Sequence, residues 1–171
     1  MLIAAIVVIF PLCLAYAAFT DMFTMTIPNR VSIILVVAFA VIAPMTGMSW
    51  LLYGQHFLAA LVVFVVGFGL FGIGVMGGGD AKLLSATSLW FGWNMQLLEF
   101  MVLVSAFGGV LTLIILMMRS DRFAVYIGRV GLIGYLTNPK LGVPYGIAVA
   151  CAGFVCFPAT ALMQYAITRM I

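Results

Sequence analysis

Residues 31–79 read VSIILVVAFAVIAPMTGMSWLLYGQHFLAALVVFVVGFGLFGIGVMGGG, 49 positions without one Asp, Glu, Lys or Arg. A helix needs about 20 apolar residues to cross roughly 30 Å of hydrocarbon, so this run is long enough for two crossings and a turn. The turn falls at Pro44-Met-Thr-Gly47-Met-Ser, where proline and glycine punctuate the pattern. Spans are therefore expected at 31–46 and 51–75. The apolar runs are continuous, whereas a barrel needs alternating polar and apolar positions, so the expected spans are helices.

Outward from this stretch, residues 1–20 carry no charged side chain and make a first span. Ala15-Tyr-Ala17 resembles a signal-peptide cleavage site, but no basic region precedes it, so the segment is expected to stay. Asp21 and Arg30 then bracket a short polar stretch, and Asp80 and Lys82 follow the glycine run. A short fourth span is expected at 81–95, ending near Asn94 and Gln96, with a fifth at 98–118 and a sixth at 144–168. Residues 119–143 hold four of the seven basic residues and form the longest segment expected not to span. Phe123, Tyr126, Ile127 and Val130 in it have helical spacing beside Arg122 and Arg129. An amphipathic helix in the interface plane and an irregular loop both remain open there. The expectation is an all-α membrane protein of six transmembrane helices, a single domain over 1–171.

Whole-chain composition agrees. Of 171 residues 67% are hydrophobic and 6% charged, with mean hydropathy +1.34. A water-soluble surface carries about a quarter to a third charged residues, so a soluble enzyme, a secreted disulfide domain and a disordered chain are excluded. The net charge of +3 is too small to suggest nucleic acid. With six spans, loops alternate between two sides, and Arg30, Lys82, Arg119, Arg122, Arg129 and Lys140 all fall on one of them. Six of the seven basic residues thus mark that side as cytoplasmic by the positive-inside rule, and only Arg169 falls opposite.

Carboxylates beside apolar spans are costly and mark candidate function. There are four. Asp21 and Asp80 are expected at similar depth on the cytoplasmic side, Asp121 lies in the basic segment, and Glu99 lies at the outer face. Two facing carboxylates can share a proton, the ionised one taking a proton from water and the protonated one donating to a carbonyl. Boundary aspartates also serve simply as helix caps or arginine partners. Gly77, Gly78 and Gly79 before Asp80 leave no Cβ beside the carboxylate, which would let a substrate backbone approach. Packing of small residues, with Gly74 and Gly78 at GxxxG spacing, is the structural alternative. A nucleotide loop fits poorly, since no GK[ST] follows. Cys13, Cys151 and Cys156 lie in apolar runs without a CxxC pair, so neither a metal site nor a disulfide framework is expected. The lone His56 shares no face with Ser85 or Ser88, and no HExxH occurs.

At these residues the chain resembles the aspartic prepilin (type IV leader) peptidases. Gly77-Gly78-Gly79-Asp80 matches their GxGD signature, and Ala81-Lys82-Leu83-Leu84 continues it. Asp21 followed by Ile27-Pro28-Asn29 matches the first motif, and Pro144-Tyr145-Gly146 resembles the P-[FY]-G element opening the last span. Met22-Phe-Thr-Met-Thr26 departs from relatives that carry basic residues there. The small size resembles the stand-alone enzymes of tight-adherence (Flp) pilus systems. The resemblance implies a GxGD membrane aspartic protease of the bacterial inner membrane, with Asp21 and Asp80 catalytic and no cofactor or metal. Gly77, Gly78, Gly79, Lys82, Pro28, Asn29, Pro144, Tyr145 and Gly146 would be supporting residues. The implied partners are a prepilin with a basic leader and an apolar helix, membrane lipid, and the pilus assembly machinery. On a helix Lys82 points about 200° from Asp80, toward lipid phosphates or the leader-side surface. The alternative is a non-enzymatic assembly component or small transporter using Asp80 as an ion or proton site.

Overall fold

The computed structural model describes residues 1–119 and 142–170. The open question over 123–134, and the residues Asp121, Arg122, Arg129 and Lys140, lie outside them. Every regular element among the described residues is helical: α1 (Leu2–Thr24), α2 (Asn29–Met45), α3 (Trp50–Gly72), α4 (Gly78–Phe91), α5 (Met95–Met118), α6 (Tyr145–Cys156) and α7 (Ala161–Thr168). A single 3-10 turn, Phe157–Ala159, joins the last two.

Three of these, α1, α3 and α5, are long and apolar enough to cross a membrane, and α6 with α7 makes a fourth if the bent pair counts as one span. The chain is therefore a membrane protein, all-helical over its described residues. The helices fall where six apolar segments were expected, but their lengths differ. At 17 residues α2 is an apolar helix of less than span length, and α4 has 14 residues. The last segment is not one straight helix, because α6 and α7 meet at 48°. Pro158 lies at that break, where its missing N–H and its ring end a regular helix.

Local chemistry sets the ends. Helix α1 runs a full turn beyond the expected boundary at residue 20, placing Asp21 inside it, and stops where Met25 adopts φ 50°. Pro28, at φ −62°, leads into α2, and Ser49 caps α3 by accepting from Leu52 N–H. Asn94 Oδ1 accepts from Gln96 N–H at 2.8 Å to open α5. Gly92 takes φ +75° to close α4.

The centre of the fold is α4, with all of Leu83–Phe91 buried. Its carrying Ser85, Thr87 and Ser88 among apolar residues follows from self-satisfied hydroxyls. Thr87 and Ser88 donate to the carbonyls one turn back, and Ser85 donates to Ala60 O on α3 at 2.8 Å. Trp90 Nε1 donates to Leu35 O on α2 at 3.1 Å. His56, 1% exposed, stacks on Phe39 and places Nδ1 2.7 Å from Leu89 O. That carbonyl lies in the last turn of α4, where no intrahelical donor remains. The close approach of α3 to α4 is at Gly67, where a Cβ would sit 3.2 Å from Ala81 Cβ. It is not at the Gly74–Gly78 pair: Gly74 turns the chain at φ +77° with nothing within 4 Å. Helix α6 packs against both α1 and α5.

Candidate active site

Asp21 lies in the last two turns of α1, 5% exposed. Its Oδ2 accepts a hydrogen bond from Gly146 N–H at 2.7 Å. Gly146 is in the first turn of α6, whose N-cap is Pro144 and has no side-chain cap of its own. The first N–H groups of a helix lack intrahelical partners, and that end carries partial positive charge. Asp21 therefore caps α6 from a different helix, 125 residues away in sequence. Gly146 is glycine because there is no room: a Cβ there would lie 2.9 Å from Asp21 Oδ2 and 3.0 Å from Asp21 Cβ.

Asp80 is the third residue of α4, whose N-cap is Gly77. Its carboxylate turns back to the Gly77 backbone, with which it hydrogen-bonds. A Cβ on Gly77 would fall 2.6 Å from Asp80 Oδ2. Asp80 precedes the expected fourth span and lies outside the helices long enough to cross. Burial first, and then the nearby Asp21 charge, push its carboxyl up to about 7 against the lowering by the Gly77 hydrogen bond. The two carboxylates thus feel one another, and the pair has unlike settings. One sits at the open end of α6, and the other is held in the loop-to-helix turn at the start of α4.

The remaining expected residues fall into three groups. Gly78 and Gly79 do not leave open space beside Asp80. A Cβ at Gly78 would meet the Phe71 ring at 3.2 Å, and one at Gly79 would meet Ile27 Cβ at 3.3 Å. The space expected to admit a substrate backbone is at these two positions filled by the protein's own side chains, and only Gly77 borders the carboxylate. Lys82 is exposed and its Nζ donates to Asn29 Oδ1 at 3.0 Å, which ties the start of α4 to the start of α2. Its partner is thus a protein amide, where lipid phosphates or the leader-side surface were expected. Pro28 sets the entry to α2 next to that pair. Tyr145 lies over Gly108, where a Cβ would come within 2.6 Å of the ring, and its hydroxyl is 3.5 Å from Thr112 Oγ1.

Phe71, Ile27 and Gly108 support the site without having stood out in the sequence. Ile27 belongs to the Ile-Pro-Asn motif, which does not show that its side chain packs at Gly79, and Phe71 and Gly108 look like any other apolar-span residues. Among the described residues no three His, Cys, Asp or Glu side chains gather into a set fit to hold a metal.

An all-helical membrane protein that buries one aspartate on the end of a helix, within electrostatic reach of a second in a glycine turn, has the makings of a membrane-embedded acid–base site. A family model described as the type IV leader peptidase family matches residues 8–115, which include both aspartates. The chain belongs to that family. No curated protein and no solved structure matches it.

Proposed function

We propose that the chain is a membrane aspartic endopeptidase that cleaves the leader peptide of Flp-type prepilins at the cytoplasmic face of the bacterial inner membrane. The observation that carries this reading is the pairing of Asp21, fixed by Gly146 N–H, with Asp80, whose carboxyl is pushed up to about 7 and feels the Asp21 charge. Asp21, on the helix end that favours an anion, is the ionised member and takes a proton from the attacking water. Asp80 holds its proton near neutral pH and donates it to the oxygen of the scissile carbonyl. Collapse of the tetrahedral adduct passes a proton to the leaving amine and restores one shared proton to the pair. The two carboxylates and water suffice, without a metal or organic cofactor.

Six crossings, the fourth beginning after Asp80, put Arg30 and Lys82, near the starts of α2 and α4, on the side of both aspartates, and a basic surplus is what a cytoplasmic side carries. A prepilin presents its leader there and its apolar helix in the bilayer. All of 1–171 then acts as one peptidase domain. The test is co-expression with small secreted proteins of the same genome that carry a glycine before an apolar helix, read by mass. Loss of the leader mass with the wild type, and its retention with Asp21→Asn and with Asp80→Asn, is the expected result. Cleavage by Asp21→Asn at the wild-type rate would eliminate the two-carboxylate mechanism, and failure of the wild type to cleave any such protein would favour a single-site transporter.

A further inference from the structure

A furrow of about 460 Å³ lies between α3 and α5. Its walls are Val62, Val66 and Leu70 on α3 and Met101, Ser105 and Gly109 on α5, with Leu84 and Val149 behind. At one end it reaches Asp80 and Tyr145. Those two residues and Met76 also line a second cavity of about 540 Å³, otherwise bounded by the loop residues Gly74, Val75, Gly77, Gly142 and Val143. The two cavities therefore meet at Met76, Asp80 and Tyr145, one apolar and flanked by long helices, the other walled by loops.

We infer that the α3–α5 furrow seats the apolar helix that follows the cleaved bond of the substrate. This rests on the peptidase reading above. The occupant is argued from continuity. A chain lying in both cavities must pass Asp80, so its cut bond, its leader and its apolar helix take the junction, the loop-walled cavity and the furrow. A lipid tail would fill the furrow equally well by polarity, but nothing in a lipid needs the furrow to reach Asp80. Length agrees with a helix: from Val62 to Leu70 is eight steps of 1.5 Å, about 12 Å, which matches about eight residues of substrate helix. The wall on α5 suits a close backbone approach. Met101, Ser105 and Gly109 follow at four-residue intervals, and the Ser105 hydroxyl is turned back to Met101 O at 2.9 Å. Ser105 and Gly109 are the small residues of this face, and helices in lipid associate through small residues because burial of apolar surface gives no advantage there.

Gly109 supplies a test that leaves the fold alone. A Cβ at this position meets nothing within 4 Å, so a larger side chain grows into the furrow and not into the protein. Gly109→Leu should reduce prepilin cleavage at least about tenfold, chiefly through a raised KM. Gly54→Leu, also with nothing within 4 Å but at the start of α3, should cleave as the wild type does. Independently, a photo-crosslinking residue placed four positions after the cut bond of a prepilin, trapped on Asp80→Asn, should label α3 and α5. Cleavage by Gly109→Leu at the wild-type rate, or labelling of α1 and α2 in place of α3 and α5, overturns the seat while leaving the peptidase reading intact. Failure of the wild type to cleave any prepilin removes the reading beneath it, and the seat with it.

Discussion

Gly146→Ala should impair the proposed peptidase activity through one backbone hydrogen bond. In an ordinary helix this substitution favours the helix by about 1 kcal/mol. Here the new Cβ would lie 2.9 Å from Asp21 Oδ2, 3.0 Å from its Cβ and 3.2 Å from its Cγ. Carbon contacts are comfortable at about 3.5–4.0 Å. Rotating the carboxylate relieves only the first of these, because Cβ belongs to the stem of the side chain. Either α1 or α6 must shift, and the 2.7 Å bond from Gly146 N–H to Asp21 Oδ2 lengthens. Hydrogen bonds to charged groups contribute about 1.5–3 kcal/mol. If that bond holds Asp21 in its reactive position, kcat/KM falls roughly ten- to a hundredfold. The assay is leader cleavage by the purified protein in lipid nanodiscs, with a thermal melt on the same sample to show that the variant is folded. Gly69→Ala, where a Cβ meets nothing within 4 Å, is the matched control. A folded Gly146→Ala protein with wild-type kcat/KM would refute the claim that this bond positions Asp21.

Other outcomes are expected from the same geometry. Asp21→Asn and Asp80→Asn should each abolish cleavage, and the double variant should be no worse than either, as for residues that act as a unit; additive losses, measured in a mass-shift assay, would separate the two side chains. With Asp80 pushed up to about 7, kcat/KM should decline as pH rises through about 7, because the proton donated to the carbonyl is lost; a rate still rising at pH 8 would assign the proton elsewhere. The stability sign runs the same way. A carboxyl raised in the folded state favours folding at low pH and loses that contribution as pH rises through about 7. Asp80→Asn should therefore melt at or above the wild-type temperature at pH 8. His56→Phe keeps the stack on Phe39 but leaves Leu89 O without its partner. It should cost about 1–3 kcal/mol of stability, seen as a lower melting temperature with activity per folded molecule kept.

Polarity was the part of this fold that the sequence made plain, since a run such as 31–79 has few structures open to it in lipid. Helix ends were less legible. Nothing between Leu2 and Thr24 stops a helix, so α1 continues past Asp21 until Met25 turns left-handed, and a charge by itself did not mark a boundary. Nor does an apolar run reveal a bend such as the one after Cys156, because proline is tolerated within α1 at Pro11 and within α2 at Pro44 while Pro158 lies at a break. Glycines were legible as special but not as to why. Gly77, Gly78 and Gly79 are adjacent, yet each is small for a different neighbour: Asp80, Phe71 and Ile27.

Why the third motif exists at all follows from charge and helix ends together. In the proposed mechanism Asp21 takes a proton from water, which requires its ionised form. A basic side chain would stabilise the anion, but it would also bind the carboxylate directly and compete for the proton it is meant to take. A helix N-terminus stabilises the anion with a fixed N–H and a distributed dipole, and it leaves the second carboxylate oxygen available. Pro144 suits the start of such a helix, since proline has no N–H to leave unsatisfied and favours the backbone angle needed there. Tyr145 then packs on α5 at Gly108, which fixes the helix laterally, and Gly146 offers its N–H where any Cβ would collide. The information that joins this element to Asp21 is a main-chain donor, which every residue but proline possesses. No residue type announces it, so the sequence could show that Pro144-Tyr145-Gly146 resembled a motif but not that its working atom is the nitrogen of the third residue.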